Sequence, residues 1–181
     1  DPWCHRPRGF WDTVLNDPDR AGQSIVILLP GIMGSELSDP AGPQDGRRPV
    51  PIWLSLNAMA GGDLARLELS DAEQRSPLVA TSLMPIAYER LLEAAHSRYR
   101  VIPWPYDWRR SIAESADALS QQLRQLIDDH PGVPVHLLAH SMGGLVARHA
   151  LWGPGRDDTV WQTLKRRGSR LLMLGTPNAG S

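Results

Sequence analysis

The chain has 181 residues, of which 41% are apolar and 22% charged, and its formal net charge at pH 7 is −1. This length fits one domain with a substantial core, and without a block of Lys or Arg we expect no nucleic-acid partner. Cys4 is the single cysteine, so no internal disulfide can form, and no apolar run in the sequence is long enough to span a membrane.

The first predicted element is a strand at 24–30, where the run SIVILLP begins with β-branched residues and stops at Pro-Gly. A continuous apolar run of this length is typical of a strand buried on both faces. Nearly fifty residues, 36–83, then pass before a helical pattern begins. Connections of this length are usually lids or binding loops. We therefore expect a lid or insert region at 36–83, with the apolar stretch 52–60 as a short helix within it.

Helices and strands alternate regularly through the rest of the chain. Apolar stripes predict four helices, at 84–95, 111–127, 142–152 and 157–167. Apolar runs predict three further strands, at 100–104, 134–139 and 169–174. Ser111 and Glu114 form a capping box at the start of the second helix. The alternation indicates an α/β protein with a parallel sheet and helices on both faces.

The sequence AHSMG at 139–143 joins a predicted buried strand to a predicted helix. A nucleophile elbow at such a junction needs small residues, because the turn is strained and its backbone is crowded. Ala139 and Gly143 meet that need, and the elbow would expose Ser141 beside the N–H of Met142 at a helix N-terminus. An ordinary helix N-cap is the alternative for such a serine. The strand before it and the glycine pair after it favour a nucleophile.

A second donor to an oxyanion is predicted in the sequence PGIMG, which follows the first strand directly. Acyl-transfer sites on this architecture take one backbone donor from the residue after the nucleophile and another from a loop after an earlier strand. Gly31 and Gly34 would let that loop pass close to the serine, and we assign the donor to the N–H of Ile32. A plain glycine turn is the alternative.

Four stretches stand out together: LLPGIMGSEL (28–37), PYDWR (105–109), HLLAHSMGGLVARH (136–149) and LGTPNAGS (174–181). In this order they resemble the lecithin:cholesterol acyltransferase family of α/β-hydrolases. The serine motif is shared by lipases and esterases in general, whereas its combination with PYDWR and GTPNAGS is more specific. The resemblance implies that Ser141 is the nucleophile and that Ile32 and Met142 are the oxyanion residues.

The resemblance also implies an activity and a lid. Members of this family cleave an acyl ester of a phospholipid or related lipid through an acyl-serine intermediate, and pass the acyl group to an alcohol or to water. We therefore expect an acyl-ester or phospholipid substrate, contact with a membrane interface, and no metal ion or cofactor. The membrane-binding lid of the animal members corresponds to 36–83, with Trp53 as the expected exposed, substrate-binding aromatic. Without a second cysteine the disulfide of that lid cannot form, so the chain looks like a bacterial-type relative.

The hydrolase order of the sheet is the last implication. It places the strand at 100–104 first, the strand at 24–30 second, the strand at 134–139 third and the strand at 169–174 fourth, all parallel.

A general base is missing from the sequence. The histidines are His5, His96, His130, His136, His140 and His149. His140 should point to the opposite face from its neighbour, and His149 lies roughly 12 Å down the helix. Asp107 precedes the serine and is expected to pair with Arg109 or Arg110.

In α/β-hydrolases the acid and the histidine follow the nucleophile. We therefore expect both beyond Ser181, and interpret 1–181 as the N-terminal portion of an α/β-hydrolase catalytic domain, C-terminally incomplete, with little turnover by itself. Two other classes stay open: a non-catalytic lipid- or protein-binding module on the same fold, and, with less support, a peptidase. An exposed serine at an elbow favours the hydrolase, because a binding module has no use for it.

Overall fold

A computed structural model describes residues 17–40, 50–69, 78–156 and 158–180 of the chain. Seven strands lie within these residues: β1 Ile25–Leu29, β2 Ser35–Asp39, β3 Val50–Trp53, β4 Val79–Leu83, β5 Arg100–Pro103, β6 Val135–His140 and β7 Leu171–Leu174. The same residues form five α-helices: α1 Leu56–Gly61, α2 Pro85–His96, α3 Ile112–Asp129, α4 Met142–Trp152 and α5 Thr159–Arg166. None of these helices has the length and apolar character needed to cross a membrane.

The main sheet has four parallel strands in the order β5-β1-β6-β7. The predicted α/β fold class and the predicted strand order are therefore confirmed. All five residues of β1 are buried, which explains its unbroken apolar sequence, since a central strand of a parallel sheet is covered on both faces. β5 forms an edge of this sheet, where a strand that contains proline is tolerated.

Helices cover both faces of the main sheet. Alternate residues of β1 point to opposite faces: Ile25, Ile27 and Leu29 belong to the larger core, with α3, α4 and α5. Leu28 belongs to the smaller core, with α2. The stripe of α3 includes the fully buried Leu119, and each such side chain contributes roughly 1.5–3 kcal/mol through removal from water.

The predicted helices along the main sheet are confirmed, with shifts of one or two residues at some ends. The capping box of α3 is present. Ser111 Oγ accepts a hydrogen bond from the Glu114 N–H at 3.2 Å, and the Glu114 carboxylate accepts one from the Ser111 N–H at 3.3 Å. Together they satisfy two backbone N–H groups at the helix start.

The insert at 36–83 contains a second sheet with a small core of its own. Its three antiparallel strands lie in the order β3-β2-β4, whereas residues 41–49 and 70–77 lie outside the described part. The helix expected at 52–60 is only partly confirmed, because Ile52 and Trp53 belong to β3 and α1 begins later. The apolar run at 52–60 therefore forms the end of an edge strand, β3, and most of a helix, α1.

Helix α4 packs closely on the end of β1 at Gly143. A Cβ atom on Gly143 would lie 2.5 Å from the Pro30 carbonyl oxygen and 3.0 Å from Leu29 Cβ. Because the strand end and the helix are both fixed in the larger core, the carbonyl group has little room to move aside. Glycine at this position therefore sets the distance between β1 and the first turn of α4.

We expect the replacement Gly143→Ala to lower the free energy of unfolding by about 1–3 kcal/mol, the usual cost of overpacking. The clash with backbone atoms should outweigh the ~1 kcal/mol that alanine gains in helix propensity. Urea unfolding followed by circular dichroism measures the change. Gly22→Ala is the control, since a Cβ atom there meets nothing within 4 Å. Equal stability of the two variants would contradict the claim that the end of β1 excludes a Cβ atom at Gly143.

Candidate active site

Ser141 stands between β6 and α4 in a backbone conformation that residues other than glycine rarely adopt. Its φ is 50° and its ψ is −122°. Among the described non-glycine residues, Ser141 shares a positive φ with Met33 alone. Such a conformation costs of order 1–3 kcal/mol and persists only where the surrounding packing imposes it. The strand-to-helix turn expected at Ser141 is thus present and strained.

Neighbouring elements hold this turn. The N–H of Ser141 donates to the carbonyl oxygen of Leu174, at the end of β7, at 2.8 Å. Thr176, in the motif LGTPNAGS, packs against Gly144, where a Cβ atom would overlap Thr176 Oγ1. Both glycines after the serine are therefore required: the end of β1 leaves no room for a side chain at Gly143, and Thr176 leaves none at Gly144.

The turn that follows β1, residues 30–34, lies directly against Ser141. A Cβ atom on Gly31 would lie 2.9 Å from Ser141 Cβ, so a larger residue would push the turn away. The Gly34 N–H donates to the Gly31 carbonyl oxygen at 3.0 Å and closes the turn. The close approach that was expected of Gly31 and Gly34 is therefore required by their surroundings.

Two backbone donors flank this contact, the N–H groups of Ile32 and Met142. Neither donates a hydrogen bond to another residue that the structure describes. Met142 is the first residue of the eleven-residue helix α4, whose N-terminus carries partial positive charge. Free N–H groups and a helix N-terminus are the groups that stabilise negative charge on an oxygen atom.

The motif PYDWR fastens the 30–34 turn to the main sheet. The Tyr106 hydroxyl donates to the Pro30 carbonyl oxygen at 2.9 Å, and the Tyr106 N–H donates to Ser35 Oγ at 3.1 Å. Trp108 Nε1 donates to the Ser35 carbonyl oxygen at 3.1 Å. Burial, reinforced by Tyr88, raises the pKa of Tyr106 far above its ordinary value, so its hydroxyl keeps the proton that it donates.

Asp107 in the same motif is paired with arginine. Its two carboxylate oxygens accept from Arg109 Nε at 2.8 Å and from Arg109 NH2 at 2.7 Å. Arg110 Nε lies 3.3 Å from the same carboxylate. The expected pairing of Asp107 is thereby confirmed, and this carboxylate holds the motif together.

Trp53 is half-buried, whereas the sequence led us to expect an exposed ring. Its Nε1 donates to the Met33 carbonyl oxygen at 3.0 Å, and its ring meets Trp108 edge-on with centroids 5.5 Å apart. These contacts turn the ring inward, against the small core of the second sheet. The exposed apolar side chains around it belong to Ile32, Met33 and Leu54, which are 57%, 49% and 49% exposed. A role of Trp53 in substrate binding stays a prediction.

The opposite orientation of His140 and Ser141 stays a prediction, since a Cβ atom on Gly31 would lie close to both, 3.1 Å from His140 Nδ1 and 2.9 Å from Ser141 Cβ. His140 is the last residue of β6. Its Nδ1 lies 2.8 Å from the hydroxyl of Tyr88, which belongs to α2. The sequence alone does not reveal this contact of Tyr88, because the place of Tyr88 in an apolar helical stripe marks it only as a core residue. The one feature of the sequence that could indicate a polar contact is a hydroxyl group on the helix face that packs against the sheet.

The other described histidines have structural surroundings of their own. His136 Nδ1 accepts a backbone N–H from the residue before β7 at 3.1 Å. His96 and His130 lie at the ends of α2 and α3, and burial lowers the pKa of His96, His130 and His136. His149 lines an open groove along α4 whose lining does not include Ser141.

Ser141 Oγ therefore forms no hydrogen bond with any residue that the structure describes. His5 lies outside the described residues, and the acid and base expected after Ser181 stay a prediction. In the described ranges, no three His, Cys, Asp or Glu side chains are grouped to bind a metal ion. The arrangement can present a nucleophile and stabilise an oxyanion, but among these residues no base is hydrogen-bonded to the serine.

Comparison with known proteins gives two findings. The model of the Lecithin:cholesterol acyltransferase family matches residues 86–181. An uncharacterised protein of Saccharomyces cerevisiae, YJR098C, is similar over 166 residues with 25% identity. The similarity covers 83% of this chain but 24% of the yeast protein, so the chain spans about a quarter of the length of that relative.

We expect Ser141→Gly to be more stable than Ser141→Ala by about 1 kcal/mol, because glycine adopts this backbone conformation without steric cost. The free energy of unfolding in urea measures the difference. Ser115, inside α3, provides the control: there glycine should be less stable than alanine by ~1 kcal/mol, since the position is helical. The same sign at both positions would contradict strain at Ser141.

Proposed function

The chain belongs to the lecithin:cholesterol acyltransferase family, and we propose that it acts on an acyl ester of a lipid or phospholipid, as a serine hydrolase or acyltransferase with Ser141 as nucleophile. Membership of the family supports an acyltransferase or lipase type of activity. The observation that carries the proposal is the positive φ of Ser141 at the start of α4. Strain of this kind clusters at active sites, where the surrounding structure maintains it for the chemistry.

In the proposed reaction, Ser141 Oγ attacks the ester carbonyl carbon while its proton passes to a general base. The negative charge that forms on the carbonyl oxygen is stabilised by the N–H groups of Ile32 and Met142, each worth about 3–4 kcal/mol in the transition state. The ester C–O bond then breaks, and the base returns the proton to the departing alcohol. Water or a second alcohol attacks the acyl-serine in the same way and restores the serine.

The proposal needs a base that the described residues do not place beside Ser141. We assign this role to a histidine, oriented by an Asp or Glu, outside them, since both follow the nucleophile in this fold. The absence of a base beside Ser141 within the described part is also what favours a second candidate, a lipid-binding module without chemistry. The strained turn argues against that candidate, because binding alone gives no reason to hold Ser141 in a costly conformation.

Contact with a lipid surface is the third part of the proposal. Further exposed apolar side chains lie on α1, which follows β3 of the second sheet: Leu56 is 82% and Met59 is 47% exposed. Apolar side chains grouped in this way around a site are typical of a surface that binds lipid or another protein. We propose that Leu54 and Leu56 carry this contact, in place of the inward-facing Trp53.

We expect a fluorophosphonate probe to label Ser141 in the full-length protein, because the probe needs an activated serine and a site for its oxyanion. Ser141→Ala should remain unlabelled. Ser111→Ala is the matched control, since Ser111 also precedes a helix but has an ordinary φ of −61°; this variant should be labelled normally. Mass spectrometry of the labelled peptide identifies the site. A full-length protein that is folded but unlabelled would leave the binding module as the better account.

We expect the double replacement Leu54→Ser and Leu56→Ser to lower the rate on phospholipid vesicles several-fold more than the rate on a short soluble ester. Removing exposed apolar groups weakens adsorption, on the order of 25 cal/mol per Å² of buried apolar area, and leaves the chemistry intact. Val50→Ser with Val79→Ser is the control, because these residues are 42% and 38% exposed at the other end of the same sheet. An equal loss on both substrates would count against a lipid-contact role.

A further inference from the structure

Three elements of the site meet at the hydroxyl of Tyr88, a residue of α2 that is only 4% exposed. Its oxygen lies 2.8 Å from the Gly31 nitrogen and 2.8 Å from His140 Nδ1. The rings of Tyr88 and His140 meet edge-on with centroids 5.8 Å apart. The hydroxyl therefore joins α2 to the turn after β1 and to the last residue of β6.

The direction of these two hydrogen bonds follows from the number of protons. A backbone N–H can only donate, so the Tyr88 oxygen accepts from Gly31. Burial raises the pKa of Tyr88, against the opposite effect of the Gly31 N–H, so the hydroxyl keeps its own proton. Among the described residues, the acceptor within reach of that proton is His140 Nδ1. A His140 ring that carries its proton on Nε2 can accept this hydrogen bond at Nδ1, and this is the arrangement that the inference uses.

The turn rests on these two side chains without free space. A Cβ atom on Gly31 would lie 3.1 Å from His140 Nδ1, and one on Gly34 would lie 2.8 Å from the Tyr88 oxygen. Tyr88 and His140 thus form the wall of the turn on the side of α2. The peptide group that follows Gly31 carries the N–H of Ile32, so the position of Gly31 fixes where that N–H points.

We propose that Tyr88 and His140 are positioning residues for the Ile32 oxyanion donor. The Tyr88 oxygen accepts a hydrogen bond from the Gly31 N–H and so fixes that peptide group. His140 accepts a hydrogen bond from the Tyr88 hydroxyl, which turns an oxygen lone pair toward Gly31. This proposal rests on the proposed function and gives His140 the part of an acceptor, distinct from the general base. A donor that is already aligned stabilises the transition state because it needs no reorganisation during the reaction.

The test compares Tyr88→Phe, His140→Leu and His140→Asn in the full-length protein on a soluble ester. Tyr88→Phe and His140→Leu should lower kcat and kcat/KM equally, by about tenfold, less than the 10²–10³ lost when an oxyanion donor is removed altogether. KM should stay the same, since the contact matters in the transition state. His140→Asn should recover most of the activity, because Asn Oδ1 can accept the Tyr88 proton close to the position of Nδ1.

The double variant Tyr88→Phe with His140→Leu should lose no more activity than either single one, since both break the same connection. Tyr99→Phe is the control for removal of a tyrosine hydroxyl and should keep its activity, because Tyr99 lies at the surface before β5. Thermal unfolding of each variant separates a displaced donor from a destabilised fold. Nitrogen NMR of labelled histidine reads the ring protonation independently of activity.

Several results would overturn the inference. Unchanged kcat in Tyr88→Phe would do so, as would equal impairment of His140→Asn and His140→Leu, or an NMR signal of protonated Nδ1. A loss on the order of 10⁶ in both His140 variants would make His140 the base. Failure of the proposed function is recognised separately, because it leaves the unaltered protein without turnover and without fluorophosphonate labelling, whereas failure of this inference appears only in the variants.

Discussion

The positive φ of Ser141 is the constraint on which the geometry of the site depends. A residue in this conformation relaxes unless its surroundings prevent it, and here the surroundings are mostly backbone. The end of β1 approaches at Gly143, and the 30–34 turn approaches at Gly31. Each of these glycines is required because a Cβ atom at its position would collide with a neighbour. The site is therefore determined by how closely three chain segments approach one another.

The same crowding explains why hydroxyl and indole groups surround the 30–34 turn. Backbone groups that are removed from water need partners, and the turn lies between two sheets with few backbone partners of its own. Tyr88 and Tyr106 bond to Gly31 and Pro30, and Trp53 bonds to the Met33 carbonyl oxygen. Among the described residues, the N–H of Ile32 has no hydrogen-bond acceptor. The turn is therefore held by its other groups while this one donor stays free.

The sequence was informative where burial on both faces leaves an unbroken apolar run, as in β1, and where steric need forces glycine, as after Ser141. It was less informative for the second sheet, because β2 has the polar sequence SELSD and buries Ser35 and Ser38 through side-chain hydrogen bonds. The strands of this sheet are only four or five residues long, too short for periodicity to give a clear signal.

Contacts between distant parts of the chain were the other limit. The inward orientation of Trp53 is set by Trp108, and the partner of Gly31 is Tyr88, 57 residues later. A local pattern marks Trp53 as apolar and Tyr88 as part of a helical stripe. It cannot say which polar atom either side chain reaches, since the partner is brought near only by the complete fold.

The central position of β1 has a consequence for biosynthesis. Its first residue, Ile25, pairs with Arg100 on one side and with Val135 on the other. At the usual rate of translation, roughly 5–20 residues per second, β1 waits about 5–20 s after its own synthesis before both neighbours have been made. Until then a wholly apolar segment rich in β-branched residues lacks at least one of its two neighbouring strands, a state prone to aggregation. The strand that leads into the 30–34 turn beside the nucleophile thus depends on protection while the chain is still being made.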